Sequence, residues 1–430
     1  MQHIIKKQVI NLTLNKKSGA FRMQQAMSAH YQHKILPVLE NIFNELSHDD
    51  EMIHIDHLEI NLGEVSEDEI NRDSGSEDIR STIKEQLYAQ IGQAGERKQI
   101  DREAKAIGIF RQWLFYMQNG YLPWNTLQVN EAWYNQVLEA LAADYDSVTE
   151  LRRFIKQQPA VSHRIVWQHS EKFLIQLVTI LAPEDRPGPA DVINTMQQSF
   201  AQLSETASRG TQENAYKVKL WERLIFLSAG LEKGLTPKRL VEEVRKINDI
   251  TIGSGELREE SIDEEGLFVQ YAGIVLIHTF FSTLFKRLQW VKEGKFENDQ
   301  AKQKALQLLH YVATGREKAE EYELAVPKIL CNWPLGMPVP KNIELSKEEL
   351  LEADNMLQAV VDQWKVLKNT SPVGLREGFL QRSGKYFSRN DKRYLQIESA
   401  SIDILLDQLP WNIGIIKLPW MKDMLWVEWR

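Results

Sequence analysis

Histidines close to carboxylates are the first residues in this sequence whose types and spacing suggest chemistry. His54, Asp56 and His57 form the string His-Ile-Asp-His, and His30 and His33 stand three positions apart. Imidazole and carboxylate groups are common zinc ligands, so both places are candidate metal sites. In a strand, however, His54 and Asp56 share one face and His57 points to the other. No third ligand accompanies His30 and His33, and solvent-facing histidines are the favoured interpretation at both places.

Motifs for nucleophilic or phosphate chemistry are incomplete. Cys331 is the sole cysteine, and no nearby residue supplies the base that an active thiolate needs, so a small buried side chain is expected. The string GFLQRSGKY, Gly378–Tyr386, has one residue too many between its glycines for a phosphate loop, and a tyrosine where Ser or Thr would bind magnesium. The sequence holds no HExxH, GxSxG or GxGxxG motif. We therefore predict no catalytic residue, no metal site and no cofactor.

Composition limits the class of protein. The chain has 430 residues, of which 43% are hydrophobic and 26% charged, and its net charge is −8. This apolar content is enough to bury a core, which excludes a fully disordered chain. The acidic balance argues against a nucleic-acid binder, which usually carries a basic stripe. One cysteine excludes an intramolecular disulfide and fits folding in a reducing cytoplasm.

The apolar pattern predicts an α+β fold that is predominantly α-helical. At the N-terminus, strands are predicted at Ile4–Leu14 and Met52–Gly63, with helices at Ala20–Tyr31 and Ile35–Leu46 between them. These elements make a small β-α-α-β unit. At the C-terminus, a strand RYLQIE and two strands around a turn at residues 419–423 predict a terminal β-hairpin.

Helical periodicity dominates the rest of the chain. Ser346 and Glu349 form a capping box that opens a helix ending near Leu367. The other predicted helices are Ile79–Gln93, Arg102–Met117, Glu131–Ala142, Ser147–Gln157, Ser162–Leu181, Tyr216–Leu231, Glu297–Thr314 and Glu317–Leu324.

Composition shifts predict how the chain is divided. Two acidic, Ser- and Gly-containing stretches are linker candidates. The predicted division is residues 1–63, the β-α-α-β unit; 64–78, an acidic linker; 79–252, helical; 253–266, a second acidic linker; 267–340, helical; and 341–430, a helix plus the β-hairpin.

The uncharged stretch Leu267–Phe285 raises the question of a membrane span. Its 19 residues are long enough to cross a bilayer. It also contains Gln270, His278 and Ser282, which favour a buried core helix, and a transmembrane helix is the alternative. The N-terminus lacks the apolar region and cleavage site of a signal peptide.

The twelve tryptophans of the chain call for an explanation. Those on helical patterns, such as Trp113 and Trp364, are expected in the core. Four others lie within the last twenty residues: Trp411, Trp420, Trp426 and Trp429. They form either an aromatic core under the hairpin or part of a protein-protein interface, where tryptophan is enriched. The tripeptide Leu-Pro-Trp, which begins at residues 122, 409 and 418, is interpreted as a chain-direction signal followed by a packing residue.

Four stretches in order resemble a known bacterial family, the contractile injection system tape measure proteins. The first runs from HIIKKQVINLTL to IHIDHLEINLG, and the second is FRQWLFYMQNGYLPW. The third is YAGIVLIHTFFSTLF, and the fourth extends from VDQWKVLKNTSPVGLREGFLQRSGKYF through the paired Leu-Pro-Trp to the closing Val-Glu-Trp. Together they cover about two-thirds of the chain, mainly residues 1–130 and 265–430.

The resemblance implies a structural or assembly component of a phage-tail-like particle. Expected partners are tube, baseplate or cap proteins, with no nucleic acid and no membrane insertion, and an unspecified oligomeric state. The expected location is the cytoplasm during assembly and then the particle. The implied role is to fix inner-tube length. The alternative is a globular cap, baseplate or assembly protein that measures nothing, because fourteen prolines and terminal strands do not suit a continuous rod.

Overall fold

The computed structural model describes residues 3–6, 8–14, 19–46, 51–55, 57–63, 76–94, 100–126, 128–181, 194, 211–230, 262, 264–341, 343–367 and 370–429. The chain divides into two compact units, Met1–Arg111 with Asn135–Ala140, and Gln112–Tyr134 with Leu141–Arg430. Helices predominate and strands form small sheets, which confirms the predicted α+β class. Both predicted acidic linkers lie almost wholly outside the described residues.

The first unit begins with one long helical run. Helix α1 (Ala20–His30), a π-helical segment (Tyr31–Ile35) and α2 (Leu36–Leu46) follow one another without a gap, where two separate helices are predicted. Pro37 lacks an N–H and its ring would clash with the carbonyl four residues earlier, and the wider π turn directly before it relieves that clash. One face of this run packs against α3 (Ser76–Ala94) through a small buried apolar cluster.

The strands of the first unit differ from the predicted ones. Strand β1 (Glu51–Ile55) pairs antiparallel with β2 (Ile100–Ala104) over five residues. The prediction of a strand at Ile4–Leu14 is wrong for the residues described there, which form no ladder and leave side chains such as Val9 exposed. The predicted second strand ends at residue 55 instead of 63. Apolar alternation indicates a strand only where a partner strand is present to pair with it. The partner of β1 is β2, not the segment Ile4–Leu14.

The helices that follow match the predicted ones, apart from a break within the helix predicted at Ser162–Leu181. They are α4 (Lys105–Asn119), α5 (Glu131–Ala143), α6 (Tyr145–Gln157), α7 (Pro159–Gln168), α8 (Glu171–Leu181) and α9 (Thr211–Ala229). Within the second unit, α9 packs on α6, α7 and α8. The single predicted helix Ser162–Leu181 is wrong, because His169 is extended and Ser170 starts a new helix through its carbonyl and hydroxyl.

The uncharged stretch Leu267–Phe285 is three short elements, so the prediction of one continuous core helix is wrong. It comprises β3 (Leu267–Val269), a 3₁₀ helix (Ala272–Ile277) and α10 (His278–Arg287). All residues of the 3₁₀ helix are buried, so no period could show in their sequence. A Cβ at position 273 would lie 1.8 Å from the carbonyl oxygen of Phe379. Glycine therefore allows the backbone of the 3₁₀ helix to approach residue 379 this closely. In the part of the chain that the structure describes, no helix has the length and hydropathy needed to cross a bilayer.

The remaining elements complete the second unit around one apolar core. They are β4 (Val291–Lys292), β5 (Lys295–Phe296), α11 (Asp299–Thr314), a 3₁₀ turn (Glu321–Leu324), α12 (Ala325–Leu330), α13 (Lys347–Gln363), a 3₁₀ turn (Lys365–Leu367), α14 (Pro372–Leu375), a π-helical turn (Arg376–Leu380), β6 (Gly384–Arg389), β7 (Lys392–Ile397), a 3₁₀ helix (Ser401–Gln408), β8 (Ile415–Ile416) and β9 (Leu425–Glu428). The Ser346 capping box is present as predicted, whereas the helix predicted at Glu317–Leu324 is only a 3₁₀ turn.

The C-terminal hairpin belongs to a larger sheet. Strands β8 and β9 pair antiparallel as predicted, but the sheet has five strands in the order β3-β6-β7-β9-β8. The pair β7–β9 is parallel and the others are antiparallel. One face, which includes Leu395 and Ile416, is buried in the core of the second unit. Leu267 and Tyr386 pair although they are 119 positions apart, so no local signal in the sequence indicates that β3 joins this sheet.

Candidate protein-interaction site

Two of the four C-terminal tryptophans are anchored to buried carbonyl groups. The indole Nε1 of Trp411 donates to the Leu276 carbonyl at 2.6 Å, and that of Trp420 to the Leu330 carbonyl at 2.8 Å. The Leu330 carbonyl lies at the end of α12, where no intrahelical N–H is left to satisfy it, and the Leu276 carbonyl lies near the end of the 3₁₀ helix. The Trp420 ring also packs on Phe285, at 5.4 Å between centroids. These two Leu-Pro-Trp copies therefore place an indole that closes the core.

Trp429 has the same structural role with a charged partner. Its Nε1 lies 3.3 Å from Oδ2 of Asp403, which also accepts from the backbone N–H of Ala400. Asp403 is buried, and Arg382 approaches its other oxygen at 3.7 Å. Trp429 thus joins the chain terminus to the 3₁₀ helix at residues 401–408.

Trp426 lies on the opposite, open face of the sheet. Its centroid is 6.4 Å from that of Tyr394, which stacks on Phe387 at 5.3 Å with an angle of 14° between the rings. The Nζ of Lys392 stands 4.9 Å from the Trp426 centroid. The structure therefore does not gather the four tryptophans in one place. Trp426 alone remains a candidate for contact with a partner, and the other three are packing residues.

A buried ion cluster joins distant parts of the second unit. The Nε of Arg164 donates to Oε2 of Glu321 at 3.0 Å, and the Nζ of Lys328 donates to Oε1 at 2.7 Å. All three side chains are almost fully buried. Arg164 also donates to the carbonyls of Met117 and Gly336.

The donors of this cluster are well satisfied. Lys328 reaches the carbonyls of Leu335 and Met337 at 2.8 and 3.0 Å, so its three N–H groups each have an acceptor. Burial lowers the pKa of Lys328 to about 8, and the Glu321 carboxylate opposes that shift. Gly120 closes one side with φ +80°, and a Cβ there would lie 2.8 Å from Glu321 Oε1.

A second polar cluster surrounds Glu323. Its carboxylate accepts from Arg316 at 2.6 Å and lies 3.4 Å from Nε2 of His310. Burial raises the pKa of this carboxyl, but hydrogen bonds from His310 and Arg316 outweigh it and hold the value at about 2. Tyr271 contributes a further hydrogen bond at 3.2 Å. The Glu323 carboxylate and the Arg316 guanidinium are paired in this cluster, whereas the Nδ1 of His310 is buried without a hydrogen-bond partner.

The residues that the sequence suggested for metal or nucleophilic chemistry are separated or buried. His30 is buried and His33 is exposed, so the expectation of a surface position is wrong for His30, which the continuous helical run turns inward. His54 lies in β1, and His57 is exposed beyond it. Cys331 is fully buried, and burial raises the pKa of its thiol. Among the described residues, no group of three His, Cys, Asp or Glu side chains could hold a metal ion.

A family model for contractile injection system tape measure proteins matches residues 2–252 and 231–429. The chain belongs to this family. No curated protein and no solved structure matches the chain. This tape measure protein is thus a structural or assembly component of a contractile injection system, as the resemblance implies.

The ion cluster is the part of this tape measure protein that sequence reasoning missed. Arg164 and Glu321 stand 157 positions apart, so no spacing rule connects them. One signal was present in α7, where Arg164 lies between the buried residues Val161 and Ile165 on the apolar side of the helix. A charged residue at such a position requires a buried partner, although the sequence does not say which.

Proposed function

We propose that this protein fixes the length of the inner tube, and that its folded C-terminal part docks on a tube, baseplate or cap protein. The observation that carries the proposal is the family match, which extends over nearly the whole chain. The continuous apolar core, the three anchored tryptophans and the ion cluster support a C-terminal part that stays folded during assembly.

The lengths of the helices limit how this chain could set the length of the inner tube. The longest described helical run, Ala20–Leu46 with its π-helical segment, has 27 residues, or about 40 Å at a rise of 1.5 Å per residue. We infer that tube length depends on the number of residues between docked parts of the chain and not on one unbroken helix.

An insertion experiment tests this proposal. Forty residues of repeated Glu-Ala-Ala-Ala-Lys are inserted in the sequence between residues 195 and 205, and particle length is measured by electron microscopy. The expected gain is about 60 Å if the insert is helical, in steps of whole tube layers. In the control, forty residues of flexible Gly-Ser sequence are placed between Glu293 and Gly294, at the turn of the β4–β5 hairpin. Its ends stay close together there, so the tube should not lengthen. Assembled particles of unchanged length with both inserts would contradict the measuring role.

We propose that the protein acts by binding alone, and that it assembles in the cytoplasm before it enters the particle. The paired clusters around Glu321 and Glu323 and the buried thiol of Cys331 support a role without catalysis. A thermal-shift screen of the full chain with divalent metals and nucleotides tests this. A saturable rise in melting temperature with any of them would contradict it.

A further inference from the structure

The open face of the five-stranded sheet carries an apolar row that crosses every strand. Register pairs place Phe387 beside Tyr394 and Tyr394 beside Trp426 on that face. The row ends at Phe268 on β3 and Ile415 on β8, whose side chains are 47% and 44% exposed. Phe387 is 8% exposed and Tyr394 and Trp426 are half-buried, so the accessible part of this row is Tyr394, Trp426 and the two end residues. Apolar residues that occur singly on a surface are ordinary, but several on one face of a sheet are typical of an interaction site.

Cations cover the rings of this row. Lys385 Nζ lies 5.4 Å from the Phe387 centroid, the Arg389 guanidinium carbon 4.5 Å from that of Tyr394, and Lys392 Nζ 4.9 Å from that of Trp426. Contacts of this length fix the cations over the rings by cation–π attraction. The charges are thus held in a line above the apolar row.

The charge on this face is opposite in sign to that of the whole chain. Within the paired strands, one carboxylate points to the same side, that of Glu428, and it binds Arg389 at 3.0 Å. Lys385, whose Nζ also donates to the backbone carbonyl of Glu264 at 3.2 Å, and Lys392 carry positive charge that would attract an anionic partner, although the net charge of the chain is −8. A symmetric pair of two such faces would set like charges against each other, which argues against a second copy as the occupant.

We propose that this face, defined by Phe268, Lys385, Tyr394, Lys392, Trp426 and Ile415, binds an acidic, partly apolar segment of another particle protein. The proposal rests on the proposed function, since it names the chemistry of the docked partner. Single-stranded nucleic acid is less suitable, because bases stack on open rings, and here the Tyr394 and Trp426 rings carry cations.

Binding of purified subunits to the full chain tests the proposal. The probes are the tube, baseplate and cap subunits of the same particle, each measured separately by biolayer interferometry in low and high salt. We expect one subunit to bind, with an affinity that falls about tenfold between 50 and 300 mM salt, as charge complementarity requires. Lys385→Gln with Lys392→Gln should weaken binding about tenfold in low salt and flatten the salt dependence. Trp426→Ala should weaken it by a similar factor at both salt concentrations.

The control variant removes the same charge elsewhere. Lys286→Gln with Lys347→Gln changes two exposed lysines outside the sheet and should leave binding unchanged. Circular dichroism and melting temperature check that each variant is folded. The proposal is overturned if no subunit binds the wild-type chain, if both face variants bind as it does, or if a labelled 20-mer oligothymidine binds with the same dependence on Lys392 and Trp426. Failure of the measuring role would show separately, as unchanged tube length in the insertion experiment.

Discussion

Arg164 and Glu321 form a buried ion pair, with 3.0 Å between Nε and Oε2 and no exposed surface on either side chain. Lys328 shares the same carboxylate at 2.7 Å. Two cations and one anion in an apolar setting are stable only because backbone carbonyls accept the remaining N–H groups. This arrangement connects α7, the 3₁₀ turn at residues 321–324 and α12 within the second unit.

Glu321→Gln should destabilise the protein strongly. Removing the carboxylate charge leaves Arg164 and Lys328 buried without an anion, and breaking a buried pair in this way costs about 3–5 kcal/mol. Urea unfolding at neutral pH measures the loss. The matched control is Glu352→Gln, which breaks a pair with Arg287, a side chain that is 66% exposed, and should cost at most about 1 kcal/mol. Equal losses in the two variants would show that the cluster contributes no more than a surface pair.

Gly120→Ala should be far more harmful than the same change at Gly315. Both glycines have positive φ, at +80° and +76°, so alanine at either costs about 1–2 kcal/mol of backbone strain. At Gly120 the new methyl would also lie 2.8 Å from Glu321 Oε1 and 2.9 Å from the Leu335 carbonyl, whereas at Gly315 the nearest atom is 3.6 Å away. The expected result is a melting temperature markedly lower for the first variant. Similar melting temperatures would mean that the ion cluster can move aside.

The Glu323 cluster should make stability depend on acidity. The pKa of Glu323 is about 2 in the folded protein against an ordinary value of 4.5, so its contribution is complete above pH 4.5 and is lost as the pH falls toward 2. The difference corresponds to about 3 kcal/mol. In urea unfolding, the free energy of unfolding of the wild type should exceed that of Glu323→Gln most at pH 7. This difference in free energy should narrow steadily below pH 4.5. A gap that is constant from pH 7 to pH 3 would contradict the assignment.

Trp420 and Trp426 should separate folding from binding. Trp420→Ala removes a buried ring and leaves the Leu330 carbonyl without its donor, which should cost about 3–5 kcal/mol. Trp420→Phe keeps a ring and should lose about 1–2 kcal/mol for the missing hydrogen bond. Trp426→Ala, on the open face, should change the free energy of unfolding by less than about 1 kcal/mol. Thermal and urea unfolding of the three variants decide this, and an unstable Trp426→Ala would remove that residue from the list of docking candidates.

Much of the helical part of this protein was predictable. Helices α4 to α6 and α11 lie within a few residues of their predicted ends, because one side of each faces a core and the other faces water. The Ser346 capping box and the C-terminal hairpin were predicted from residues that are neighbours in the sequence. The prediction of a strand at Ile4–Leu14 is wrong, because a strand requires a pairing partner, which alternation in the sequence does not reveal.

The sequence by itself determined most of the helices, the mainly α-helical class and, through its ordered motifs, the family. Those properties depend on residues within a few turns of one another or on a pattern preserved in order along the chain. Only the tertiary structure decided that Arg164 meets Glu321, that three tryptophans close the core, and that Trp426 faces outward beside Tyr394. Each of these depends on contacts between segments far apart in the chain, where burial and strand register, rather than local spacing, set which side chains meet.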